Sequence, residues 1–103
     1  MKQLPVTVSQ TKLEEFCKHH HIRRLALFGS VLRDDFRPDS DIDVLVEFEP
    51  GHVPGLFGLE GIALELVPLL GGRAVDLNTS RSLSHYIRDR VLQQAEVLYE
   101  RAG

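Results

Sequence analysis

Asp41 and Asp43 stand two residues apart at the head of an apolar run, Asp41-Ile-Asp-Val-Leu-Val-Glu-Phe48. Read as a strand, this run puts Ile42, Val44, Val46 and Phe48 on one face, and Asp41, Asp43, Leu45 and Glu47 on the other. Desolvating an isolated carboxylate is expensive, so acidic residues in such a strand call for a counter-charge. Two carboxylates projecting from one face can share a cation, which their mutual repulsion makes more welcome. Oxygen-only donors select hard ions such as magnesium over zinc, and magnesium with few protein carboxylates completes its shell with water and substrate phosphates.

Gly29-Ser30 supplies a second chemical element. A glycine at a strand-to-helix turn lets the backbone approach a phosphate, the amides that open the next helical turn favour negative charge, and the serine hydroxyl adds a donor. The ten residues between Ser30 and Asp41 allow the chain to leave one strand, turn, and return beside it. Asp76, in the run Arg73 to Asn78, is the third candidate carboxylate. Each feature also has an ordinary explanation: Asp-x-Asp pairs occur as solvated strand starts, Gly-Ser dipeptides mark common turns, and Asp76 could cap the loop at Thr79-Ser80. The combination favours the chemical reading.

The elements that must position these residues follow from periodicity. Leu13, Phe16, Cys17 and His20 describe an amphipathic helix over about residues 10–20, with Ser9 as its cap. Residues 23–28 read as a strand, and Val31-Leu32-Arg33 as one helical turn. Residues 34–40 read as a loop. Leu56, Leu59, Ile62, Ala63 and Leu66 keep helical spacing until Pro68, and Gly71-Gly72 ends that element. Arg73 to Asn78 reads as a third strand, with Ala74, Asp76 and Asn78 on one face. From Ser82 onward, Leu83, Ile87, Val91, Ala95 and Leu98 predict one long closing helix. This order implies an α+β fold, a small mixed sheet backed by helices.

The remaining features bound the possibilities. A chain of 103 residues with 43% hydrophobic content is long enough for one core, so a single domain over 1–103 is expected. Twelve basic residues against fifteen acidic ones leave a net charge of -3, which offers no general field for DNA or RNA. A lone cysteine excludes an internal disulfide, and no segment approaches membrane-spanning length. A cytoplasmic location is expected. Cys17 reads as core and His19-His20-His21 as a solvated helix end, while Tyr86 and Tyr99 read as packing residues with a wet hydroxyl.

The run from Gly29 through Asp41 and Asp43 to Phe48 closely resembles the signature of minimal nucleotidyltransferases, a branch of the DNA polymerase beta-like superfamily. The resemblance continues through Pro54-Gly-Leu-Phe-Gly-Leu59, Arg73-Ala-Val-Asp-Leu77 and the stretch from Ile87 to Glu100. It implies a polymerase beta-like fold, with Asp41, Asp43 and Asp76 holding two magnesium ions and performing catalysis. Gly29 and Ser30 take the nucleotide-binding positions. Arg33 resembles a basic residue near the nucleotide phosphates, although it could equally pair with Asp34 or Asp35. Short stand-alone members resemble the antitoxin halves of toxin–antitoxin pairs whose partner is a HEPN ribonuclease. The resemblance therefore implies transfer of AMP from ATP to a hydroxyl of that toxin, tyrosine being the expected acceptor, in a hetero-oligomer. The alternative is a non-catalytic antitoxin that neutralises its toxin by covering it.

Overall fold

The computed structural model describes residues 8–32 and 41–101, with the side chains of Ser30 and Val31 outside that description. Its elements in chain order are helix α1 (Gln10–His19), strand β1 (Ile22–Phe28), a 3-10 turn (Gly29–Leu32), strand β2 (Ile42–Phe48), helix α2 (Leu56–Leu66), a second 3-10 turn (Val67–Leu70), strand β3 (Val75–Thr79), helix α3 (His85–Gln94) and strand β4 (Glu96–Glu100). The strands form one mixed sheet in the order β3-β2-β1-β4. β1 runs antiparallel to both β2 and β4, and β2 runs parallel to β3.

The apolar stripes do what their spacing requires. Leu13, Phe16 and Cys17 of α1 are buried against Leu25 and Leu27 of β1, and against Ile42, Val44 and Val46 of β2, while Ile62 and Leu66 of α2 close the same cluster. Each fully buried aliphatic side chain contributes roughly 1.5–3 kcal/mol relative to exposure. Ser9 precedes α1 in extended conformation, and its carbonyl accepts from Leu13 N at 3.0 Å while its hydroxyl makes no cap hydrogen bond. Pro68 ends α2 as its missing donor demands, and Gly71 follows the second 3-10 turn at a left-handed φ of 82°. The histidine segment leaves α1: His20 pairs with Glu65 of α2 at 3.1 Å, and His21 adopts a left-handed φ of 56°.

Three expectations are corrected. The closing helix stops at Gln94, because Ala95 is extended and residues 96–100 pair with β1 as β4. Glu96-Val-Leu-Tyr-Glu100 satisfies a two-residue alternation as well as a helical one, and the unpaired side of β1 decides between them. Arg101 N extends the pairing to Arg23 O at 2.8 Å. Leu56, assigned by periodicity to the inner stripe of α2, is 83% exposed. Tyr86 is 84% exposed instead of packed, whereas Tyr99 does pack against the core. Arg33 and the loop 34–40 lie outside the described residues.

Cys17 is fully buried, and burial pushes its thiol up to about 12. Above the ordinary thiol value of 9.0 the unfolded chain ionises while the folded one stays neutral. The thiol's contribution to stability is therefore complete below pH 9 and lost as pH rises toward 12. In this window denaturant-derived stability should fall with a slope contribution of up to about 1.4 kcal/mol per pH unit. Cys17→Ala should remove that contribution, and an unchanged slope in the variant would refute the assignment.

Candidate active site

The ladder brings the chemistry-bearing positions together. β1 pairs Phe28 with Asp43, and β3 pairs Asp76 with the same Asp43. Cross-strand partners share a face, and neighbouring strands lie about 4.8 Å apart, so Phe28, Asp43 and Asp76 form one row on the face opposite the helix-covered core. The next row is Val97, Ala26, Leu45 and Asn78. Ala26 and Leu45 are buried there at 1% and 2% exposure, giving the carboxylates an apolar flank. The third row is ionic: Arg24 reaches Glu47 at 3.7 Å and Glu100 at 3.6 Å.

Gly29 completes the row at the end of β1. It takes a left-handed φ of 76°, and a Cβ built on it would stand 2.2 Å from Asp43 Oδ2. A side chain here would therefore have to push the partly buried Asp43 carboxylate aside. Ser30 follows within the 3-10 turn, and the first amides of a helical turn have no partner within the turn itself.

Asp41 precedes β2 by one residue and is exposed. Ile42 N, between the two aspartates, donates to Ala74 O at 2.8 Å, fixing where β2 meets β3. Asp76 is exposed on the outer strand, and its backbone carbonyl accepts from Asn78 Nδ2 at 3.0 Å. Among the described residues no three His, Cys, Asp or Glu side chains converge on a common ion position. It is the backbone register that places Asp43 beside Asp76 in the ladder. The donor set itself, carboxylate oxygen only, suits a hard divalent ion.

Residues that periodicity missed adjoin this row. Phe57 and Leu64 of α2 are 92% and 73% exposed, and line a groove of about 760 Å³ that reaches Asp76. The available signal was that α2, Leu56-Phe-Gly-Leu-Glu-Gly-Ile-Ala-Leu-Glu-Leu66, carries large apolar residues outside its inner stripe.

Gly29→Ala should cost about 1–3 kcal/mol from backbone strain alone, with a further loss as Asp43 is displaced. Thermal unfolding checks this. A variant with unaltered Tm would show that the glycine's left-handed conformation and contact are dispensable.

Residues 11–102 match the family model described as polymerase beta, nucleotidyltransferase. The chain is 37% identical over 86 residues to the protein adenylyltransferase MntA of Thermococcus cleftensis, covering 84% of this chain and 82% of that protein. Its fold is similar to that of a toxin–antitoxin complex solved with AMP-PNP, at TM-score 0.70 and 23% identity over 91% of this chain and 75% of that one. It is also similar to a chain in the complex of tri-AMPylated Shewanella oneidensis HEPN toxin with MNT antitoxin, at TM-score 0.62 and 22% identity, covering 89% and 70%. With nearly its whole length inside the family model and its glycine turn set against a strand aspartate, the chain belongs to the polymerase beta nucleotidyltransferase family.

Proposed function

We propose that this protein is an antitoxin that transfers AMP from ATP to a hydroxyl, that of a tyrosine, of a partner HEPN toxin. The observation that carries the reading is the register of Asp43 with Asp76, one on each of two parallel neighbours, beside the bare backbone of Gly29. The adenylyltransferase relative, the AMP-PNP complex and the AMPylated toxin complex are the proteins from which nucleotide, acceptor and partner are carried over.

Asp41, Asp43 and Asp76 would hold two magnesium ions, which supply charge neutralisation for the triphosphate and for the attacking oxygen. The chain's own residues do the rest by position. Gly29 and Ser30 seat the phosphates against the turn, and Arg33 adds a cation to them. Asp76, on the strand nearest the open side, takes the proton of the acceptor hydroxyl as its oxygen attacks the α-phosphorus. A new oxygen–phosphorus bond forms, and the bond between the α-phosphorus and the bridging oxygen to the β-phosphate breaks. The electron pair leaves with pyrophosphate, and AMP remains on the acceptor.

The exposed apolar groove beside α2 favours a second reading, in which the antitoxin acts by covering the toxin. The two separate cleanly in the test tube. Incubated with α-labelled ATP, magnesium and the partner toxin, the protein should label the toxin substoichiometrically. Losing even an outer partner of a metal ligand costs 10–100-fold in comparable sites, so Asp43→Asn should lower labelling by at least about 100-fold while Tm stays near that of the parent. Undiminished labelling by the variant, or equal protection of the toxin without ATP, would overturn the catalytic reading.

A further inference from the structure

β3 is an edge strand. Its register with β2, and the bond from Ile42 N to Ala74 O, commit the N–H and C=O groups of alternate residues 74, 76 and 78 to the ladder. Those of Val75 and Leu77 point outward, away from β2. The strand's far end is closed differently: Thr79 N donates to Ser82 Oγ at 3.0 Å, and Thr79 O accepts from Ser82 N at 3.1 Å. Among the described residues the edge left open is therefore short and lies beside Asp76.

The groove adjoins this edge. It is lined by Phe57, Glu60, Leu64 and Val67 of α2 and the following turn, and by Ala74 to Thr79, Asp76 among them, along β3. Leu77 packs toward the core cluster while Asp76 stands on the opposite face. A large exposed apolar surface continuous with a catalytic carboxylate marks a binding surface, and an edge strand beside it sets the form of the ligand.

We propose that the acceptor polypeptide docks here as an extended strand against β3. Side chains of a paired strand alternate between faces. A residue presented on the Asp76 face must then be preceded and followed by residues that point into the apolar groove. The acceptor is accordingly a hydroxyl-bearing residue with an apolar neighbour on each side. This inference rests on the reading that the chain modifies a protein, and it adds the route by which that protein reaches the site.

The test uses a short acetylated peptide with a central tyrosine, valine on both sides and asparagine elsewhere. Titrated into the ¹⁵N-labelled protein, it should shift the amide signals of Val75, Leu77 and Leu64. Replacing both valines by asparagine should weaken binding by roughly ten-fold or more. Phe57→Glu and Leu64→Glu, both at exposed positions, should each do the same while leaving the nucleotide-induced shift of Gly29 intact. Transfer of label from α-labelled ATP to the tyrosine is read separately. Binding in the groove without transfer would keep the docking surface and overturn the adenylylation reading. Transfer without perturbation of the groove, or equal use of both peptides, would overturn the docking surface alone. It would also fall if neither peptide binds, or if Phe57→Glu dissolves a concentration-dependent dimer seated on this face.

Discussion

The contact between the Gly29 backbone and the Asp43 carboxylate constrains the rest of the site. With a left-handed φ of 76° and a notional Cβ meeting Asp43 Oδ2, any other residue at the end of β1 would be strained and would have to displace that carboxylate, and the chain turns there. Because β2 returns antiparallel, Phe28 comes opposite Asp43, so the turn lies next to the carboxylate near the start of the second strand. In the proposed reading, a carboxylate held beside a helical turn and an apolar flank meets a ligand that brings positive charge on one side and phosphate on the other.

The sheet's two faces divide the labour. A crossover between parallel neighbours takes one hand, and in β2-α2-β3 it carries α2 to the face where Ile42, Val44 and Val46 are buried. α1 covers the same face through Leu13, Phe16 and Cys17. The alternation that sends those valines inward sends Asp43 outward, onto a face that neither helix covers. Putting β3 at the edge gives Asp76 a second property: it is a neighbour of Asp43 in the ladder and also lines the groove beside that edge. In the proposed reaction the base for an incoming hydroxyl stands on this edge strand, whereas one on β1 would have a strand on either side.

Local patterns were legible in the sequence, and non-local ones were not. The stripe Leu13, Phe16, Cys17 and the alternation of β2 each involve residues close in the chain, and both are seen in the structure. The pairing of Asp43 with Asp76 depends on a register between strands separated by a helix, which no periodicity encodes. The resemblance to nucleotidyltransferases supplied that juxtaposition. β4 failed for a related reason: Val91, Ala95 and Leu98 keep helical spacing, and only the vacant side of β1 turns residues 96–100 into a strand. The exposed Leu56 and Phe57 were ambiguous in kind, since apolar residues at a helix start look alike whether they face a core or a partner.

Charge explains how such a site divides recognition between its ligands. The chain carries a net charge of -3, and the row at Asp43 and Asp76 adds local negative potential where the proposed triphosphate would sit. At about 4 Å, each pair of like charges costs roughly 1 kcal/mol in water and about 4 kcal/mol at the effective dielectric of a protein surface, and a triphosphate would meet several at once. In the proposed reaction divalent cations are therefore a condition of nucleotide binding as well as of chemistry. A protein acceptor cannot draw on the same attraction, because once cations and triphosphate neutralise one another little field remains to steer it. Its binding energy has to come from apolar contact, which puts the exposed side chains of α2 and the open edge of β3 on the acceptor's path and leaves the glycine turn to the nucleotide.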